Sequence, residues 1–327
     1  MVFRFVKNTA VAVSVVTAFA FNPAVAQDQY PSKTTTLVSP FAAGGTNDYL
    51  ARAMAKKLES TLGKTFIVEN RTGANGIIGA TYVAKNKGDP HVLLMGNSAT
   101  HGTNITLYPK TSYDAIKDFT PIGMVGAVPL VMIVSSKLPV NSVQELINYA
   151  KANPGTLSFG SSGVGGTGHM TGEKFKQATK MDIVHAAYKG DGPAVADVIA
   201  GQIPVAFIGA TAVIPHIKSG RLRVLAVASK NRSSSMPDVP TFAEAGVKDV
   251  EFSQWYAIMA PADIPKDAAT KLSAAVTDAV KSPEMKQAFA TQGADPITFN
   301  QQELSNFIDE EIAKFSKVIK ELNIRVE

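Results

Sequence analysis

Cysteine is absent from all 327 residues. Its absence excludes disulfides, thiolate metal sites, a cysteine nucleophile and a lipid-modified cysteine. After the N-terminal segment, no stretch approaches the ~18 uninterrupted apolar residues that would cross a bilayer. No H-x-x-x-H or H-E-x-x-H pairing is present, so no metal is expected. No run of lysine and arginine marks a nucleic-acid partner. The formal charge of +5 falls to +3 once the two cations of the leader, Arg4 and Lys7, are set aside. There is neither a repeat of solenoid length nor a low-complexity tract, and a chain this long suggests two domains, each with its own core.

The first 26 residues read as a secretory signal peptide. Arg4 and Lys7 precede a short run of apolar and small residues, and Ala24-Val25-Ala26 is an A-x-A cleavage signal before Gln27. The apolar run is too short for a membrane anchor. The mature protein is therefore expected outside the cytoplasm, cleaved after Ala26.

Strands and helices alternate through most of the remainder. A β-type run at 34–39 leads to a helix at 47–62 with Leu50, Met54, Leu58 and Leu62 spaced by four, then a strand at 66–69, a helix at 76–85 and a strand at 92–95. Apolar runs at 120–126 and 130–135 flank Pro129. A capping box, Ser142 to Glu145, opens a helix burying Val143, Leu146, Ile147 and Ala150. A second block follows, with strands near 157–160, 182–186, 205–208 and 224–228 and helices near 170–178 and 193–200. The last third holds a strand at 255–259 and three helices, the final one carrying Leu304, Ile308, Ile312, Phe315, Ile319 and Leu322 on one stripe. Strands separated by helices predict parallel βαβ units.

Two glycine-rich turns carry the functional signal. Residues 40–48 (PFAAGGTND) and 158–169 (SFGSSGVGGTGH) each join a strand to a helix. Such a turn offers a bound anion the unpaired first amides and the positive end of the helix. Two blocks around two such turns suggest a clamp that closes on an anion about a hinge. In the first turn Gly44 and Gly45 let the backbone approach a ligand; Thr46 and Asn47 either cap the helix or donate to a carboxylate. Asp48 either satisfies first-turn amides or receives a protonated group of the ligand. In the second, Ser161, Ser162, Gly166 and Thr167 supply hydroxyl and amide donors.

Two enzymatic alternatives compete. Residues 163–168 (GVGGTG) fit the G-x-G-x-x-G pattern of a dinucleotide site, but neither Asp182 nor Asp191 clearly ends a strand as a ribose-binding acid should, and an exported chain is a poor setting for that cofactor. No cofactor is expected. Ser98, Ser161 and Ser162 lie in loops that also hold His101 and His169, which leaves an exported serine-type hydrolase as the alternative function. The G-x-S-x-G frame is nevertheless missing, and His91, His185 and His216 read as structural or surface residues.

The segments 40–48, 68–80 (VENRTGANGIIGA), 96–101 (GNSATH), 113–119 (YDAIKDF), 158–169, 188–190 (YKG) and 237–241 (PDVPT), in this order along the mature chain, resemble the Bug family. These are extracytoplasmic solute-binding receptors of tripartite tricarboxylate transporters. The resemblance implies an α/β, type II periplasmic-binding-protein fold in which two α/β lobes enclose a ligand cleft. A discontinuous first lobe would take residues 27–128 plus 252–327, and a second 129–251. It further implies a non-enzymatic, monomeric protein that binds a small organic acid and docks on membrane permease subunits. Phe41, Ser98, Gly163, Gly168, His169, Tyr188 and Lys189 join the turn residues as expected ligand contacts.

No arginine lies in either turn, so recognition is expected through amides, hydroxyls and bridging water rather than a guanidinium fork. Phe41, Tyr188 and Trp255 either stack on a flat ligand or belong to the core. Many family members carry aspartate where Ile208 stands, so a less polar pocket is expected here, with an aromatic carboxylate among the acids it would take. A receptor used for sensing rather than uptake would share the same binding physics.

Overall fold

The computed structural model describes residues 1–2, 30–108, 110–233, 235–291 and 293–325. The leader and its cleavage site lie outside the described residues. Among these residues no helix is long and apolar enough to cross a membrane.

Two sheets share one long strand. In the first, β1 (Thr35–Ser39) runs parallel to β2 (Phe66–Asn70) and to β3 (Val92–Asn97). The connecting helices are α1 (Thr46–Leu62) and α2 (Ile77–Ala84). Leu50, Met54 and Leu58 of α1 are fully buried, as their spacing predicts. Gly63 ends the helix in the left-handed conformation, donating to Glu59 O at 2.9 Å. A π turn at Ala99–Thr103 and the short α3 (Asn104–Leu107) precede β4 (Phe119–Ser135).

β4 merges the two apolar runs expected on either side of Pro129. Residues 119–129 pair with β9 (Ser253–Pro261), whereas 130–135 pair with β7 (Val205–Gly209) and β8 (Leu222–Val227), all antiparallel. Pro129 falls where the partner changes, so the amide proton it lacks is missed least there.

Between β4 and β8 lie α4 (Val143–Ala152), β5 (Ser158–Ser161), α5 (Thr167–Thr179), β6 (Val184–Ala187), α6 (Asp191–Ala200) and α7 (Ala210–Ile217). The second sheet runs β4-β7-β5-β6, with β5 parallel to both neighbours. Ser142 caps α4 by accepting from Glu145 N, but the Glu145 carboxylate reaches Asn141 N, one residue before the cap. α6 starts at Asp191 rather than near residue 193. α7 was not expected, because it is one short element with Pro215 inside it.

After β9 come α8 (Lys266–Lys281), α9 (Pro283–Thr291), β10 (Asp295–Pro296) and α10 (Gln301–Glu321). A full capping box, Asn300 with Glu303, opens α10. Its Leu304 and Ile308 pack with the core around Trp255, and its Phe315 and Ile319 with the core around Phe159 and Phe207. One helix thus ties both sheets, and each such side chain contributes about 1.5–3 kcal/mol on burial. Glu311 interrupts the stripe, but it accepts from Trp255 Nε1 and from Lys314, both at 3.0 Å.

Candidate functional site

The two sheets bring β1, β3, β5 and β9 and the starts of α1 and α6 to a common cleft. Phe41, Thr46 and Asn97 reach it from the first sheet's loops, Ser162 and Asp191 from the second's, and Gln254 and Tyr256 from β9. It is nearly shut: the remaining space, ≈ 10 Å³, suits about one water.

The first turn behaves as a braced loop. Gly44 takes a positive φ of 80°, and Gly45 caps α1 through its backbone with no side-chain cap bond. Asn47 is held from both sides, accepting from Ser39 Oγ at 2.8 Å and donating to Met95 O at 3.0 Å, which pins α1 to β1 and β3. Asp48 does not line the cleft. Burial pushes its pKa up, but Arg52, Asn70 and the Gly44 N–H outweigh that and hold it below the usual carboxylate range. It clamps the turn, and with Gly44 it lines a separate groove beside α1. Thr46 is fully buried in the cleft wall; its hydroxyl lies close to Asp191 and Tyr256 but meets neither in good hydrogen-bond geometry.

The second turn is used differently along its length. Only Ser162 lines the cleft. Ser161 bonds the His185 ring at 2.7 Å and donates to Gly163 O, while His185 stacks on His169 with ring centroids 3.7 Å apart. His169 Nδ1 accepts from Gly165 N at 2.8 Å. Burial pushes His169 down to about 4 and His185 to about 3, so both rings are neutral. Gly163 and Gly166 face Asn75, whose Oδ1 would lie 2.7 Å from a Cβ at Gly163. A Cβ at Gly165 would fall 1.8 Å from Leu107 Cδ1, and one at Gly168 2.4 Å from Phe207 O. These glycines permit contact with the first sheet's loops and with β7. Thr167, also buried, opens α5 and its carbonyl accepts from Thr171.

The remaining expected contacts stand apart from the cleft lining. Ser98 is buried behind Asn97, with its amide on Trp255 O. The Tyr188 hydroxyl donates to Asp197 at 2.7 Å, and Lys189 meets the first turn through its carbonyl, which accepts from Ala42 N at 3.0 Å. Trp255 is core, with Phe307 edge-on against it.

Sequence reasoning missed Asp191, Gln254, Tyr256 and Asn97. Ile208 points to no less polar pocket, since it is buried in the core rather than in the cleft lining. Asp191 supplies an acid instead. Burial raises its pKa to about 6, opposed by nearby Thr46, Ser162 and Gly209, yet its Oδ1 meets no partner in hydrogen-bond geometry. Tyr256, buried and close to Asp191, is pushed well up and donates to Gln254 Oε1. The position of Asp191 after a Y-K-G turn was visible in the sequence; its approach to α1 was not.

The profile described as tripartite tricarboxylate transporter family receptor (TctC) matches residues 50–324. The chain belongs to this receptor family. It is 36% identical to protein BugT of Bordetella pertussis over 303 residues, covering 92% of this chain and 93% of that protein. Among solved structures, R. palustris Rpa4515 with adipate is 35% identical, covers 90% of this chain and 99% of its own, and superposes with a TM-score of 0.88. MatC from Rhodopseudomonas palustris with bound malate is 29% identical, with coverage of 89% and 100% and a TM-score of 0.83. The fold is that of these receptors, a mixed α/β periplasmic binding protein. TctC receptors are binding proteins rather than enzymes. The Ser161–His185 contact is therefore read as a structural pair, in keeping with a serine that is fully buried.

Proposed function

We propose that this receptor is exported, loses its leader after Ala26, and as a monomer captures a small organic acid between two lobes. The lobes are residues 27–128 plus 252–327 and residues 129–251, and the loaded protein hands its ligand to membrane permease subunits of a tripartite transporter. The change of partner along β4 at residues 129–130 and the first pairing of β9 at Ser253 support this division. A hinge made of two chain crossings lets the lobes part and close with little rearrangement inside either.

One observation carries the reading: the cleft is built from both sheets, and its buried Thr46 hydroxyl meets no neighbour in good hydrogen-bond geometry. An unmade buried hydrogen bond costs about 1–3 kcal/mol, so a ligand that supplies the partner gains that much on closure. With no lysine or arginine in the lining, the carboxylate is held by the α1 amides, hydroxyls such as Ser162, and bridging water. The bound adipate and malate of the two relatives favour a carboxylic acid here too.

The test is a thermal-shift screen of residues 27–327 against aliphatic di- and tricarboxylates, aromatic acids, amino acids and nicotinamide dinucleotides. A ligand at about 100 times its Kd stabilises by roughly 2.7 kcal/mol, a few degrees for a chain of this size. A response confined to acids is expected. A response to dinucleotide alone, or to nothing, refutes the proposal.

A further inference from the structure

We infer that Asp191 is a ligand-contacting residue that selects organic acids carrying a hydrogen-bond donor, an ammonium or a hydroxyl, over the same acids without one. The inference rests on the receptor reading and narrows its ligand class.

The geometry is acceptor-rich at one point. A Cβ placed on Gly209 would lie 2.6 Å from Thr46 Oγ1, 2.9 Å from Gln254 Oε1 and 3.2 Å from Asp191 Oδ2. Three oxygens from three separate elements thus converge above a residue that has no side chain. Two of them can only accept, and Gln254 Oε1 already takes the Tyr256 proton. The third, the Thr46 hydroxyl, has one proton to give.

No cation of the protein faces this corner, and the donors that do reach the Asp191 carboxylate, Thr46, Ser162 and the Gly209 amide, leave its Oδ1 open. Asp191 is 5% exposed, its Oδ1 is unpartnered, and it forms no ion pair among the described residues. Arg52, the basic residue of α1 nearest the turn, is committed to Asp48. A buried carboxylate in this state is costly unless something donates to it. A ligand carboxylate pressed against it would add a second negative charge, whereas an ammonium or hydroxyl beside the ligand's carboxylate would satisfy it. The carboxylate itself is then left to the α1 amides beyond that of Thr46, which reaches Asp191, and the two groups of one ligand meet opposite chemistry within one cleft.

The experiment uses matched acids differing only in the donor: succinate, malate and aspartate; glutarate and glutamate; benzoate and salicylate. Affinities for the mature protein and for Asp191→Asn are measured by calorimetry at pH 7.5, with circular dichroism to check the fold. Within whichever set binds, the donor-bearing acid is expected to bind roughly tenfold tighter or more, the scale of a charge-assisted hydrogen bond. In Asp191→Asn that ratio should collapse to about twofold while the plain acid binds as well as before or better. Malate against aspartate distinguishes hydroxyl from ammonium as the donor. A preference that survives in Asp191→Asn, or a plain acid that binds more tightly to the wild type, overturns the inference and leaves the receptor reading standing. Failure of every acid to bind either protein overturns both.

Discussion

Acidification should close the ligand-free receptor, and Asp191 sets the scale. Its pKa in the shut cleft is about 6 against 3.8 in water, because burial disfavours the charged form. A group whose pKa is raised in one state makes that state lose stability as pH climbs from the lower value to the higher. The shut form therefore carries its full penalty above about pH 6 and little of it below about pH 4. The interval between the two values corresponds to about 3 kcal/mol, or roughly a hundredfold in the ratio of shut to open molecules. Most of that ratio is released below pH 6, and between pH 7.5 and pH 5.5 it changes by about fourfold, which small-angle scattering of the empty mature protein would read as a smaller radius of gyration at the lower pH. Asp191→Asn should show no such change with pH. His169 and His185, held near 4 and 3, stay neutral in the native protein over that interval and do not imitate the effect. Equal radii at both pH values, with Asp191→Asn indistinguishable from the wild type, would refute the claim that shutting the cleft buries this carboxylate at a cost.

Two further outcomes test the second turn. Gly165→Ala places a Cβ at 1.8 Å from Leu107 Cδ1 on a backbone with φ of 71°; left-handed strain of about 1–2 kcal/mol and overpacking of about 1–3 kcal/mol should weaken ligand binding at least tenfold in calorimetry without loss of far-ultraviolet dichroism. Gly165→Ala combined with Leu107→Ala should recover part of the affinity, and no recovery would mean that this contact does not govern closure. For the stacked histidines the folded pKa lies below the unfolded one, so their contribution to stability is intact above about pH 6.5 and is lost as pH falls. Urea unfolding midpoints should fall from pH 7 to pH 5 in the wild type and fall less in His185→Gln; parallel slopes would refute the assignment.

Much of the fold was legible because periodicity and turn chemistry are local. Leu50, Met54 and Leu58 announce the buried face of α1, and glycine turns after strands announce βαβ units. β4 shows in the sequence as two apolar runs flanking Pro129, and only the exchange of partners at that residue, a long-range fact, shows why the proline is tolerated within one strand. α7 was hidden by Pro215 and by its length of about two turns. At the site, the first turn was recognisable as a glycine turn opening α1, but the sequence could not say that Asp48 would be claimed by Arg52, Asn70 and Gly44. Nor could spacing reveal that Gly163, Gly165 and Gly168 answer to Asn75, Leu107 and Phe207. Those glycines are required by neighbours distant in the chain.

Ile208 and Asp191 show how a reasonable inference from one position fails at the level of packing. An isoleucine in place of an acid predicts a less polar cleft only if that side chain enters the cleft. Ile208 instead packs in the core beside β4, one residue before Gly209. What decides polarity is who occupies the space over Gly209, and there the start of α6 delivers Asp191 against the start of α1. A Cβ on Gly45 would lie 3.3 Å from Gly192 N, so the two helix starts are already in close approach. Two positive helix ends facing one another favour a negative group between them, and Asp191 offers one even without ligand. Its charge belongs to that junction, while the missing partner on Oδ1 belongs to the ligand. The same residue can therefore disfavour an empty shut cleft and reward one that holds a donor-bearing acid.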